Sequence, residues 1–326
     1  MKQFIGIDVS KAKLDCLWLR DPDNLKIKTK VLRNDKAGHT QLCDWLTTTT
    51  NGNAEDIIVV MEATGIYHEV IAYALYKAGF GVAVVNPAQI KAFGKSLGQT
   101  HKTDKQDSLV IARYGWTQKP SLWQPEPLEI RELKSLIARL EALETDHRRE
   151  SNRLEKAEFS VASLTVIESI QTMLQELSQE KARVEKEIND HIDRHDQLKK
   201  DRQLLESIPG IGAVVSRMML SVIHSREFTR ASEVAAYVGV IPTITESGIF
   251  RGRSRLSKKG PARVRAKLYM AAIVASQHNP DIIDQRQRLL ANGKTKMQAL
   301  GAGMRKLVHI CFGVIKNQTK YSPQAI

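Results

Sequence analysis

From Met1 to about Trp116, short apolar runs rich in β-branched residues are interleaved with segments of helical period. The runs FIGID, LDCLWLR and IKTKVLR come first and close together, which predicts hairpin strands. A helical pattern over 38–46 closes on the turn-forming stretch TTTTNGN, and the unbroken run IIVVME predicts an interior strand. A helix over 66–77, the strand VAVV, and helices over 88–97 and 104–116 complete this region.

Strands in hairpins followed by alternating strands and helices predict an α/β sheet covered by helices, a pattern that fits a ribonuclease H-like layout. Between Trp123 and Leu205 the character changes to Glu, Lys, Arg and Leu, with no Gly and with Pro only at 125 and 127. Leu133, Leu136, Ile137, Leu140 and Leu143 follow a three-four spacing, and Ile170, Leu174, Leu177, Val184, Ile188 and Ile192 resume it after a break. This predicts a helical hairpin or coiled coil, either a spacer and dimer stalk or the wall of a groove for a nucleic-acid duplex. From about Asp201 the chain becomes globular again and mainly α. The turn SIPGIG over 207–212 leads into the helix VVSRMMLSVI, and it is either a plain interhelical turn or a hairpin whose amides grip a phosphate. A closing amphipathic helix is expected over 297–315. The organisation expected is therefore a domain over 1–120, a helical coiled-coil linker over 121–200 and a third region over 201–326.

The 326 residues carry 49 Lys and Arg against 36 Asp and Glu, a formal charge of +13 that favours a polyanionic partner over an acidic small molecule. Charge alone is compatible with DNA, RNA or an anionic membrane. No apolar run approaches the roughly 20 residues of a membrane span, and the amino-terminal MKQFIGIDVSK enters a strand pattern directly, so a cytoplasmic protein is expected. Cys16, Cys43 and Cys311 lack zinc-site spacing and an even disulfide framework, and read as reduced packing residues.

Four acids change the picture. Asp8 ends the run FIGID, Glu62 ends IIVVME, and Asp104 and Asp107 stand one helical turn apart in HKTDKQDSLVIAR. Each alone has a plainer role, such as Asp8 capping the turn VSKAK or Asp104 capping the helix it opens. Together, three separate segments deliver carboxylates to the ends of buried elements, where like charges repel unless cations neutralise them. Hard oxygen ligands suit Mg²⁺ or Mn²⁺, and two such ions about 4 Å apart activate a nucleophile and stabilise a leaving oxygen on phosphate. Lys102 and Lys105 flank the acidic pair, as a solvated helix start or as phosphate-positioning groups.

A second concentration of chemistry lies in ITESGIFRGRSRLSKKGPARVRAKLY. Arg251, Arg253, Arg255, Lys258, Lys259, Arg263, Arg265 and Lys267 form either a phosphate-binding surface or a solvated basic face there, and the phosphate-binding reading is the one expected. Ser247, Ser254 and Ser257 lie among them, and a serine hydroxyl surrounded by arginines can attack a phosphodiester.

The ordered motifs GIDVSK, MEATG, HKTDKQDSLVIAR, IPGIG, YVGVIP, ESG and LSKKGPARVRAKLY resemble, essentially end to end, the DEDD transposases of insertion sequence family 110. The resemblance implies an amino-terminal domain like the Holliday-junction resolvase RuvC and a carboxy-terminal transposase domain. It implies a site-specific recombinase of donor and target DNA, guided by a structured non-coding bridge RNA and working as a homo-oligomer, a tetramer built from dimers, associated with the bacterial nucleoid when acting. In that mechanism Asp8, Glu62, Asp104 and Asp107 of one protomer hold Mg²⁺ (or Mn²⁺), and a serine from another protomer attacks DNA. By motif that serine is Ser247, although Glu246 replaces the first serine of a frequent pair, and Ser254 and Ser257 stay as alternatives. Ser108 stands where alanine is common. A resolvase-like nuclease without a covalent intermediate would use the same acids and dispense with the serine. A sugar-kinase-type phosphotransferase leaves Asp104 and Asp107 unexplained, and a non-catalytic nucleic-acid binder would make the acids structural.

Overall fold

The computed structural model describes residues 2–63, 65–98, 103–160, 162–243, 246–247, 250–251 and 255–323. The chain divides into two compact units, residues 1–125 and residues 126–326.

In the first unit β1 (Gln3–Val9), β2 (Lys13–Asp21) and β3 (Lys26–Arg33) form an antiparallel meander. Ser10 closes the first turn, its hydroxyl donating to the Lys13 carbonyl at 2.9 Å. After α1 (Lys36–Thr50), the strands β4 (Ile57–Glu62) and β5 (Gly81–Val85) are joined by α2 (Tyr67–Lys77), and α3 (Pro87–Ser96) and α4 (Asp104–Gln118) follow. The sheet order is β3-β2-β1-β4-β5, with β4 parallel to β1 and β5 parallel to β4. Strand alternation divides the apolar residues between two faces. Ile5, Ile7, Val59 and Met61 pack with Leu42, Trp45 and Leu46 of α1 and Ile71 and Leu75 of α2. Phe4, Val60 and Val85 pack on the opposite face with Ile90 of α3 and Val110 and Ile111 of α4.

One residue sets how closely α4 approaches. A side chain at Gly6 would run into the Ser108 carbonyl and the Ala112 amide nitrogen, so the helix backbone lies directly on β1. Farther along, a side chain at Gly115 would meet Val60 and Phe4. The helix therefore runs antiparallel to β1, its first turn toward the strand's carboxyl end.

The second unit opens with α5 (Leu128–Phe159) and α6 (Leu164–Arg194). They are antiparallel, since His191 bonds the Glu129 carbonyl at 2.8 Å while His147 meets Ser178 at 3.1 Å. Leu133, Leu140 and Leu143 bury against Val184, Ile188 and Ile192, the spacing read from the sequence. The helices α7 (Asp196–Glu206), α8 (Ala213–Ile223) and α9 (Ala231–Val238) come next. Among the described residues, short strands follow, β6 (Pro242–Thr243), β7 (Glu246–Ser247), β8 (Phe250–Arg251) and β9 (Arg255–Leu256). The unit ends with α10 (Ala262–His278), α11 (Pro280–Ala291) and α12 (Lys296–Asn317). In the turn between α7 and α8, Gly210 has φ +99° and lies against Ala275 of α10, a position closed to any side chain.

Asp201 ties this unit together. It is fully buried, and its carboxylate accepts from His224 at 2.8 Å, Gln318 at 2.7 Å and Gln197 at 3.0 Å, joining α7 to the carboxyl ends of α8 and α12. Burial pushes its pKa upward, but the hydrogen bonds from His224, Gln318 and Gln197 outweigh that and the net shift is downward. Among the described residues no helix is long and apolar enough to cross a membrane, and all three cysteines are free.

Gly6→Val should cost about 3 kcal/mol in urea denaturation, the upper range for overpacking, because backbone atoms on both sides must move. Asp201→Ala should cost about 3 kcal/mol by leaving buried donors without an acceptor. Since the folded pKa of Asp201 lies below the unfolded carboxylate value of about 3.9, its contribution is present above that pH and is lost as the pH falls through the folded value. Asp201→Asn should flatten the acid limb of a stability profile followed by circular dichroism.

Candidate active site

The register gives the position of the first two acids. The β1–β4 pairing runs parallel through Ile7 opposite Met61, so the next step brings Asp8 beside Glu62 at the carboxyl ends of two adjacent strands. Phe4 and Val60 face α4, and by the two-residue period Asp8 and Glu62 face the same side. Ser108 and Ala112 lie over Gly6, so the turn of α4 that holds Asp104 and Asp107 stands beyond Gly6, at the level of Asp8. Thr103 is the cap of this helix, its side chain accepting from the Gln106 amide, and Asp104 is the first helical residue. Asp8, Glu62 and Asp107 are half-buried and Asp104 is exposed. Four carboxylates from three segments thus share one end of the sheet.

Two further residues belong to this edge. Asp15 is the direct partner of Asp8 across β1 and β2, so it faces the same side, and its side chain is only 12% exposed. Lys13, one pleat earlier, extends its ammonium between two acids, 2.5 Å from Asp104 Oδ2 and 3.1 Å from Asp15 Oδ2. The hydrogen bonds to Asp104 and then to Asp15 raise the Lys13 pKa to about 12. The Ser108 hydroxyl reaches the backbone carbonyls of Asp15 at 2.8 Å and of Asp104 at 2.9 Å, fastening the first turn of α4 to β2. Neither Lys13 nor Asp15 was singled out by sequence pattern. Their only signal is the alternation of β2, which puts both on the face of Leu17 and Leu19.

The donor chemistry fits a hard divalent cation, being entirely carboxylate oxygen. A stand-in cation is already present, the Lys13 ammonium. Among the described residues no three acidic, imidazole or thiol groups are drawn together around one point as metal ligands. At this edge the Lys13 ammonium bridges two of the acids, Asp104 and Asp15. Lys105 is exposed on α4, and Lys102 lies outside the described residues.

In the second unit Ser247 is exposed in β7, where it pairs with Phe250 of β8. Ser257 is half-buried and its amide donates to the Ile241 carbonyl at 2.9 Å. Arg253 and Ser254 lie outside the described residues, and Arg251 is described only as a backbone position of β8. Arg255, Lys258 and Lys259 are exposed. Arg263 donates to Glu141 at 2.8 Å, and Lys267 lies 3.7 Å from Glu144, both acids on α5. Arg265 turns inward, its guanidinium donating to the carbonyls of Gly260 at 2.5 Å and Val238 at 3.3 Å, where it caps the end of α9. Trp123 packs edge-on against Tyr73 and Tyr76, with ring centroids 4.9 and 6.1 Å away. Trp116 and Tyr269 are each about one-third exposed.

Comparison with known proteins covers both units. Residues 5–157 match the family model of the DEDD transposase domain of the IS110 type, described as a transposase, and residues 202–287 match the model described as the transposase IS116/IS110/IS902 family. The pilin gene-inverting proteins of Moraxella lacunata and Moraxella bovis are 30% and 29% identical to the chain over 98% of both partners. An uncharacterized protein of insertion element IS110 from Streptomyces coelicolor is 24% identical over 48% of this chain and 38% of its own length. With acids gathered at a sheet edge in one unit, an exposed serine and cations in the other, and these matches across both, the chain belongs to the IS110 family of transposases and is a DNA recombinase.

Proposed function

We propose that this recombinase cleaves and exchanges DNA strands with a Mg²⁺-dependent carboxylate site and a serine nucleophile. The observation that carries the reading is the convergence of Asp8, Glu62, Asp104 and Asp107 on one end of the sheet with a positive charge lodged among the acids there. The strand order β3-β2-β1-β4-β5, antiparallel through the first three strands and parallel thereafter, supports a ribonuclease H-like or RuvC-like first domain. Asp8, Glu62, Asp104 and Asp107 would hold Mg²⁺ or Mn²⁺, which supplies Lewis-acid stabilisation of phosphate oxygens.

The chain's own groups have separate tasks. The rigid strand ends fix Asp8 and Glu62, and the capped first turn of α4 presents Asp104 and Asp107. Ser247 Oγ, supplied by another protomer, attacks the phosphodiester. A serine–phosphate ester forms, the bond to one sugar oxygen breaks, and the hydroxyl proton leaves with that oxygen as the new sugar hydroxyl. Because the ester retains the bond energy, an incoming sugar hydroxyl reverses the step on a different strand with no nucleotide cofactor. Strand exchange between two oppositely oriented sites on one DNA would give inversion, the outcome named for the Moraxella relatives. Exposed Lys105, Arg255, Lys258 and Lys259 contact phosphates. A guide RNA bound through its backbone would select donor and target DNA by base pairing, and a tetramer would bring two sites together, which gives the charge of +13 a purpose.

The test is a denaturing gel for a covalent protein–DNA adduct, with element-end RNA, DNA and Mg²⁺. The adduct should require metal and RNA and disappear in Ser247→Ala and Asp104→Asn, while Asp104→Asn still binds nucleic acid. Cleavage without any adduct would replace serine with water as nucleophile. An adduct persisting in Ser247→Ala would remove that serine from the mechanism.

The basic segment yields a separate outcome. Lys258→Ala and Lys259→Ala should each weaken nucleic-acid binding and lower the slope of log affinity against log salt by about 1 per lost phosphate contact. Arg265→Ala should instead lower the thermal midpoint with little change in that slope, since its guanidinium serves backbone carbonyls.

A further inference from the structure

We propose that Lys13 is the internal counter-ion of the carboxylate edge, holding Asp104 while no metal is bound and withdrawing to Asp15 when a divalent ion takes Asp104. The inference rests on the metal-dependent reading above and adds a positioning role for two residues outside the set of four acids.

The geometry carries it. One ammonium touches two carboxylates of different character, 2.5 Å from Asp104 and 3.1 Å from Asp15. Asp104 is 58% exposed at the first position of a helix, and a cation can approach it from solvent. Asp15 is 12% exposed, held within β2 and opposite Asp8. Lys13 is 45% exposed, and its flexible four-carbon stem can pivot on the strand.

Charge supplies the reason for two stations. Asp8, Asp15, Glu62, Asp104 and Asp107 lie together at this end of the sheet, and so many like charges need a cation whether or not metal is present. A lysine that held only Asp104 would compete with the metal outright. With Asp15 as a second partner, the ammonium gives up the ligand oxygen without leaving the edge, and its charge stays where a phosphate arrives. An exposed ion pair is weak, so a divalent ion can displace it.

The experiment is a Mn²⁺ binding isotherm on the full chain, read from the electron paramagnetic resonance signal of free Mn²⁺, for wild type, Lys13→Met, Asp15→Asn and the double variant. Lys13→Gln serves as the second neutral variant, and circular dichroism checks folding. Lys13→Met should lower the half-saturating Mn²⁺ concentration by about threefold to fivefold, the weight of one exposed ion pair. Asp15→Asn should raise it by a similar factor, because Lys13 then has only Asp104. The double variant should match Lys13→Met, the coupling expected of residues that act through each other. Saturable binding with the same midpoint in wild type, Lys13→Met and Lys13→Gln would overturn the role of Lys13 and leave the metal reading standing. Weaker binding on adding Asp15→Asn to Lys13→Met would make Asp15 a ligand and overturn its parking role. No saturable binding in wild type or either Lys13 variant would remove the metal reading and this inference with it.

Discussion

The close approach of α4 to β1 at Gly6 is the constraint on which the first unit depends. A helix normally rests on a sheet through interdigitated side chains, and its height then varies with their sizes. Here backbone meets backbone, and nothing but hydrogen fits between Gly6 and the Ser108 carbonyl. The axial position of α4 is set by that contact, by Gly115 over Phe4 and Val60, and by the Ser108 hydroxyl on the Asp15 carbonyl. Three contacts spread along one helix leave little freedom for its first turn, which carries Asp104 and Asp107. Positional accuracy at the carboxylate edge is thus a packing property of residues with no chemistry of their own.

The acids of the two units illustrate what separates structural from chemical carboxylates. Asp201 is wholly buried, and three side-chain donors from different places in the unit converge on it. Removing such a charge from water is costly, and only that full set of donors offsets it. Its geometry is complete, leaving no reason for a ligand to enter. The edge acids stay partly hydrated, and the cation between two of them is a lysine that solvent can reach. Under the proposed reading, a site that would accept a divalent ion and then a phosphate needs that incompleteness.

Part of this arrangement is legible in the sequence. Asp8 and Glu62 stood out because each ends an apolar run, and a run long enough to be interior has its ends at an edge. The helical pair α5 and α6 was legible in leucine spacing, which depends only on neighbours along the helix. Lys13 and Asp15 were not legible, because pairing Asp15 with Asp8 requires the register of β1 on β2, and a hairpin register depends on the turn that Ser10 closes. The eight cations of 251–267 read as one group because charge density in a sequence has no direction. Packing gives them direction. Arg265 serves the end of α9, while Arg263 and Lys267 meet acids of α5. Ser108 stands where alanine is common, and its hydroxyl ties a helix to a strand nearly a hundred positions away, a contact no local pattern announces.

Under the proposed mechanism, the two kinds of scaffold suit the two reactants. The carboxylates are mounted on strand ends and a capped helix, elements that can hold ligands to within fractions of an ångström. Ser247 pairs with Phe250 in the β7–β8 ladder of the other unit. Contacts made in the assembled complex would complete the placement of the serine, so part of the binding energy would be spent on ordering it. That expenditure has a use in an enzyme whose error would be a broken chromosome. In that mechanism the nucleophile would reach its working geometry only when its DNA partner and the acids of another protomer are both in place, and until a metal enters, the Lys13 ammonium would stay between Asp104 and Asp15.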